Sequence, residues 1–114
     1  MAIPSGSGTE VLKTITQTIT GALTITPTDD HIYVILNIIV KNNHSSSTHF
    51  DIKVSDDSAS AYQWILESQS LAQDKTFVWN DRLILSDNTA RLMIDTNSTD
   101  ELHVTINYID HDWS

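Results

Sequence analysis

Hydrophobic and polar positions alternate with a period of two along most of this chain, the spacing of strands that bury one face. From Val11 to Thr26, Ile15, Ile19, Leu23 and Ile25 share one parity and threonines hold much of the other. This predicts one extended strand, or a pair broken at Gly21, closed by the turn residues Pro27-Thr28-Asp29-Asp30. Ile32 to Val40 is apolar on both parities and rich in β-branched residues, which predicts a central strand buried on both faces. Polar Lys41 to Ser47 then makes a hairpin connection. In Thr48 to Ser55, Phe50, Ile52 and Val54 face inward while His49, Asp51 and Lys53 face out.

After Asp56-Asp57-Ser58, Tyr62, Trp64 and Leu66 mark a further extended segment. Phe77 and Trp79 share a face, Leu83-Ile84-Leu85 is a short strand, and Leu92 and Ile94 align between Ala90 and Thr96. Leu102, Val104, Ile106 and Tyr108 complete a last alternating strand. About eight strands, separated by turn residues and without a helical pattern, predict an all-β fold. The architecture expected is a single-domain antiparallel β-sandwich, jelly-roll-like. The Gly/Ser-rich start and the Val11 to Thr26 segment predict an extended N-terminal arm over 1–26, with the sandwich domain over 27–114.

Composition narrows the function. A chain of 114 residues supports one core rather than two. Fifteen acids against six Lys and Arg give a net charge of −9, which repels phosphate backbones and anionic membranes, so neither nucleic acid nor membrane is an expected partner. Cysteine is absent, removing disulfides and thiolate chemistry and favouring assembly in a reducing cytoplasm. The first residues lack the basic flank and apolar stretch of a signal peptide. The longest apolar run is broken by Asn37 and is too short to span a bilayer as a helix.

The five histidines lack the tight spacing with a supporting acid that zinc sites show, His111 between Asp110 and Asp112 coming nearest. Asp29-Asp30 and Asp56-Asp57 read as solvated turns rather than calcium loops. Three glycines, all early in the chain, exclude a phosphate-binding loop, and no nucleophile elbow accompanies the serines. The expectation is therefore no enzyme, no cofactor and no metal. Trp64, Phe77 and Trp79 read as core or subunit-contact residues, with a sugar-stacking platform as the alternative. Trp113, beside the C-terminus, reads as an interface anchor.

The order of strands and turns resembles a group of small structural proteins of tailed bacteriophages, found in phages of cyanobacteria and marine bacteria. Their loose pattern is a buried strand ending in Asn, a Ser/Thr-rich hairpin, and a strand of the form Thr-Phe-Asp-Ile-Lys-Val. An aromatic segment, a loop and paired strands follow. Here it reads Ile35-Leu36-Asn37-Ile38-Ile39-Val40-Lys41-Asn42, then Ser45 to Thr48, then Phe50-Asp51-Ile52-Lys53-Val54. It continues through Leu71-Ala72-Gln73-Asp74-Lys75-Thr76 and Arg82 to Asn88, and closes with Asp100 to Tyr108. Ala72 and Asp87-Asn88 stand where the group usually has Pro and Gly-Asp. The resemblance implies a β-sandwich virion component without catalytic residues.

The function expected from these readings is a capsid cement (decoration) protein on the outer surface of a phage head, assembled in the host cytoplasm. Its partners would be the major capsid protein and itself, as a homotrimer. The arm residues Val11, Ile15, Ile19 and Leu23, with Trp113, are the expected partner-binding positions. A neck, tail or fibre component, or a carbohydrate-binding adhesin module using Trp64 or Trp79, are the alternatives.

Overall fold

The computed structural model of the chain describes residues 9–55, 62–96 and 101–112. Expectations that rest on the first eight residues or on Trp113 lie outside them. The described strands are β1 (Thr9–Ile19), β2 (Ala22–Ile25), β3 (His31–Asn42), β4 (Thr48–Ser55), β5 (Gln63–Leu71), β6 (Thr76–Trp79), β7 (Leu83–Leu85), β8 (Arg91–Thr96) and β9 (Leu102–Asp112). Sheet A runs β1-β9-β3, with β6 and β7 sharing the far edge of β3; sheet B runs β2-β8-β4-β5. Every pairing is antiparallel.

The pairings are nested. β4 pairs with β5, β3 with β6 and β7, β2 with β8, and β1 with β9. Such a chain is one long antiparallel ribbon wrapped over itself, the path of a jelly roll. The fold is thus the β-sandwich that the alternation predicts. It has nine strands among the described residues because the Val11 to Thr26 segment divides at Gly21 into two, β1 and β2.

The core fills the space between the sheets. Ile35, Ile38, Val40, Leu102, Val104 and Ile106 of sheet A face Phe50, Ile52, Leu92 and Ile94 of sheet B, all fully buried. Phe50 meets Phe77 edge-on, with ring centroids 5.4 Å apart. Asn42, also fully buried, donates through Nδ2 to the Ser46 and Leu71 carbonyls and accepts from the His44 amide. That one amide joins the β3–β4 turn to the end of β5 and leaves no buried polar atom of its own unpaired.

The double-sided apolar run in β3 has a local cause. Pairing with β9 slips between Ile35 and Asn37, so Leu36 is an extra residue, a β-bulge. Tyr33 and Ile35 point inward before it, Ile38 and Val40 after it, on opposite sequence parities. The strand is therefore central in its sheet but fully buried on one face only. Its outward Ile32, Val34 and Ile39 are half-buried.

Two turns use acids in left-handed backbone. Asp30 (φ 64°) closes a turn in which the His31 amide donates to the Thr28 carbonyl, and Asp74 (φ 60°) sits in the equivalent turn from Ala72 to Lys75. Asp is among the few residues other than Gly that adopt this region readily, so these acids are turn-formers first.

Candidate assembly surface

β1 and β2 end sheets A and B on the same side of the sandwich, so two strand edges that no other described strand pairs flank one opening. The break at Thr20-Gly21 sends the chain from one sheet to the other, and the Thr96 amide donates to the Gly21 carbonyl at 2.9 Å. Between the two strands lies a cleft of about 350 Å³, lined by Ile15 and Gln17 of β1 and by Leu23 and Ile25 of β2. Tyr33 and Tyr108 form its floor, their ring centroids 4.8 Å apart. The opening thus combines an apolar, aromatic-floored slot with those strand edges. Extended peptide recognises that combination through backbone hydrogen bonds and alternate side chains.

A charged clamp ties β1 to the sheet next to this cleft. Asp110 is 4% exposed, yet accepts from Lys13 Nζ at 2.7 Å and contacts His31 Nδ1 at 2.5 Å. Burial alone would push its carboxyl up, but the Lys13 and His31 hydrogen bonds and their charges hold it below the ordinary carboxylate value. The same bond raises Lys13 above the ordinary lysine value. Burial raises the phenol of Tyr108. With both Asp110 oxygens engaged, this is a joint between strands β1, β9 and β3 rather than a reacting group.

The partner-binding positions expected on an N-terminal arm take distinct places. Ile15 and Leu23 are brought together across the cleft, on different sheets. Ile19 is buried in the core, and Val11 is exposed near the start of β1. Residues 9–26 supply an edge strand to each sheet, so an arm drawn to Thr26 takes in two strands that the structure builds into the sandwich. The cause is β9, whose eleven residues pair with β1 along its whole length. Gln17, Tyr33 and Tyr108 are cleft residues that alternation in sequence does not reveal. Their membership depends on which strands end the sheets.

The aromatics divide. Phe77 and Trp79 pack against the core as expected, the indole Nε1 of Trp79 being buried without a hydrogen-bond partner among the described residues. Trp64 does not: it is 51% exposed on the outer face of sheet B, with Lys53 Nζ 4.7 Å from its ring centroid. Lys53 also reaches Asp95 at 3.1 Å. Asp95 lies directly across from Asp51, and burial together with that neighbouring carboxyl raises its pKa. His111 and Asp110, adjacent in sequence, point to opposite faces; His111 Nδ1 lies 3.3 Å from Glu10.

No protein-family model matches the chain, and no curated protein matches it. Solved structures do match in fold. One is the Drosophila NLP core, described as informing pentamer formation and histone binding, with TM-score 0.52 and 12% identity over 85% of this chain and 96% of that one. Another is a Bacillus endospore appendage protein of disulfide-linked pili, with TM-score 0.53 and 13% identity over 100% and 97%. A pentameric capsid protein from metagenomic phage sequences aligns more loosely, at TM-score 0.44 and 16% identity over 87% and 61%. Identities this low describe a shared β-sandwich.

Proposed function

We propose that this chain is a non-enzymatic structural protein of a virion, a cement protein that binds the outer surface of a phage head and stabilises its lattice. The observation that carries this reading is the open side of the sandwich, where those two strand edges flank the Ile15–Leu23 cleft. An extended segment of the major capsid protein adds to the β1 or β2 edge and seats alternate side chains in the slot. Each contact is small, and repetition over a closed lattice multiplies its strength. The acidic surface faces the medium and keeps particles apart.

The test is decoration of heads stripped of this chain. Gln17→Trp fills the cleft from an exposed position without removing a core side chain. It is expected to abolish rebinding while leaving the thermal midpoint close to that of the unaltered chain. Rebinding by Gln17→Trp at full strength rejects strand docking at this cleft. A copy number matching the lattice subunits of purified particles supports cement; a few copies per particle would place the chain at the neck or tail instead.

A further inference from the structure

The outer face of sheet A carries an apolar row that crosses four strands. Leu12 of β1 lies opposite Ile109 of β9, Ile109 opposite Val34 of β3, and Val34 opposite Ile84 of β7. Leu12 is 69% exposed and Ile84 64%. A second pair, Ile39 and the exposed Val78, lies further along the same face. Three of the five large hydrophobic residues that the described chain exposes therefore share this face. Directly opposed apolar side chains in a sheet are stabilising neighbours, but a row left in water loses that burial unless another surface covers it.

Charge identifies the cover. Among the described acids, only Glu10 occupies an outward position within the strands of sheet A, and it faces His111; Asp112, at the end of β9, shares the parity of Asp110 and lies beside His31. Asp110 points inward, and Glu101 stands at the lip beside His103. The remaining outward positions are Thr14, Thr16, Asn37, Asn107 and similar neutral groups, with Lys41 and His103. The outer face of sheet B, by contrast, opposes Asp51 to Asp95. Two copies of a chain with net charge −9 repel one another on most approaches. On this face alone among the two sheet faces, like meets like without stacking acids.

The area is sufficient. Four strand spacings of about 4.8 Å, over a strand length of about 36 Å, span about 700 Å², near the roughly 800 Å² per partner of a stable interface. We propose that a second copy of this chain covers the face, sheet A against sheet A, as a two-fold dimer. The contact is isologous, with the Leu12–Ile84 row of each copy lying across that of its partner. It needs neither a particle nor the β1–β2 cleft, so it stands or falls separately from the cement reading.

Sedimentation equilibrium of the isolated full chain from about 1 to 100 μM tests it. The expected result is a reversible dimer that tightens when salt rises from about 20 to 500 mM, because screening removes net repulsion while apolar burial persists. The double substitution Leu12→Asp, Ile84→Asp is expected to raise the dimer dissociation constant at least about tenfold and leave the circular dichroism spectrum unchanged. Trp64→Asp, on the opposite sheet, is expected to leave association as it was. Should the double variant lose its fold, Val78→Asp replaces it with the same expectation. A monomer throughout the range, a three-chain mass, association weakened by salt, or an unaffected variant each overturns the proposal.

Discussion

Sheets A and B handle ionised groups in opposite ways. Sheet A turns Asp110 inward and satisfies it with Lys13 and His31, leaving an outer face that is nearly free of acids. Sheet B sets Asp51 and Asp95 side by side on its outer face, with Lys53 between Asp95 and the ring of Trp64. The two carboxyls consequently shift in opposite directions, buried Asp110 down and half-buried Asp95 up. Burial is the leading cause at both sites and pushes both upward. The sign is decided by what else is present: two donors at Asp110, a competing carboxyl at Asp95.

Removing the inward carboxylate breaks the comparison most severely. Asp110→Asn is expected to destabilise the chain by about 2–3 kcal/mol, since two charge-assisted bonds are lost at a buried position, read as a lower urea midpoint with an unchanged slope. The depressed pKa of Asp110 fixes the sign of the pH effect. Its contribution is present above the ordinary carboxylate range and is lost as pH falls through the lowered value. The unaltered chain should therefore lose stability in acid more steeply than Asp110→Asn, as urea midpoints at a series of pH values will measure.

On sheet B the effects are smaller. Trp64→Ala uncovers Lys53 and is expected to cost about 0.5–1 kcal/mol, seen as a lower midpoint in thermal denaturation. Asp95→Asn should act the other way and raise the thermal midpoint by less than about 5 °C, despite losing the Lys53 bridge. With its folded pKa raised, Asp95 favours the native state below the ordinary carboxylate range and loses that contribution as pH rises through the raised value. The stabilisation by Asp95→Asn should accordingly appear at neutral pH and vanish in acid. A destabilised Asp95→Asn at pH 7 would mean that the bridge outweighs the repulsion.

Much of the fold is legible in the sequence because alternation reports burial directly. Phe50 and Ile52 in β4, Leu92 and Ile94 in β8, and Leu102 to Tyr108 in β9 sit where their parity puts them. Bulges and edges are not legible. An inserted Leu36 makes β3 read as apolar on both faces, and a slipped register between Ile52 and Lys53 sets Leu66 opposite inward Ile52 but Trp64 opposite outward Lys53. Trp64 consequently lies outside, where its hydrophobicity alone places it in the core. For the cleft, Ile15 and Leu23 are readable as inward-facing residues, but only the pairing of β1 with β9 and of β2 with β8 makes them neighbours.

The nested pairing also sets a condition on synthesis. β9 is made after the other described strands, yet it lies between β1 and β3, joining Thr9 to Asp112 and His31 to the same residue. β4 and β5 pair locally and need only a hairpin. Sheet A, however, has no middle until residues 102–112 have left the ribosome, and its contacts are long-range ones that close slowly. A chain halted before Leu102 carries β1 with no strand beside it and Lys13 with no carboxylate. Only a chain translated through Asp112 completes the β1-β9-β3 layer, so the order of the strands alone ties the acid-poor face to the synthesis of β9.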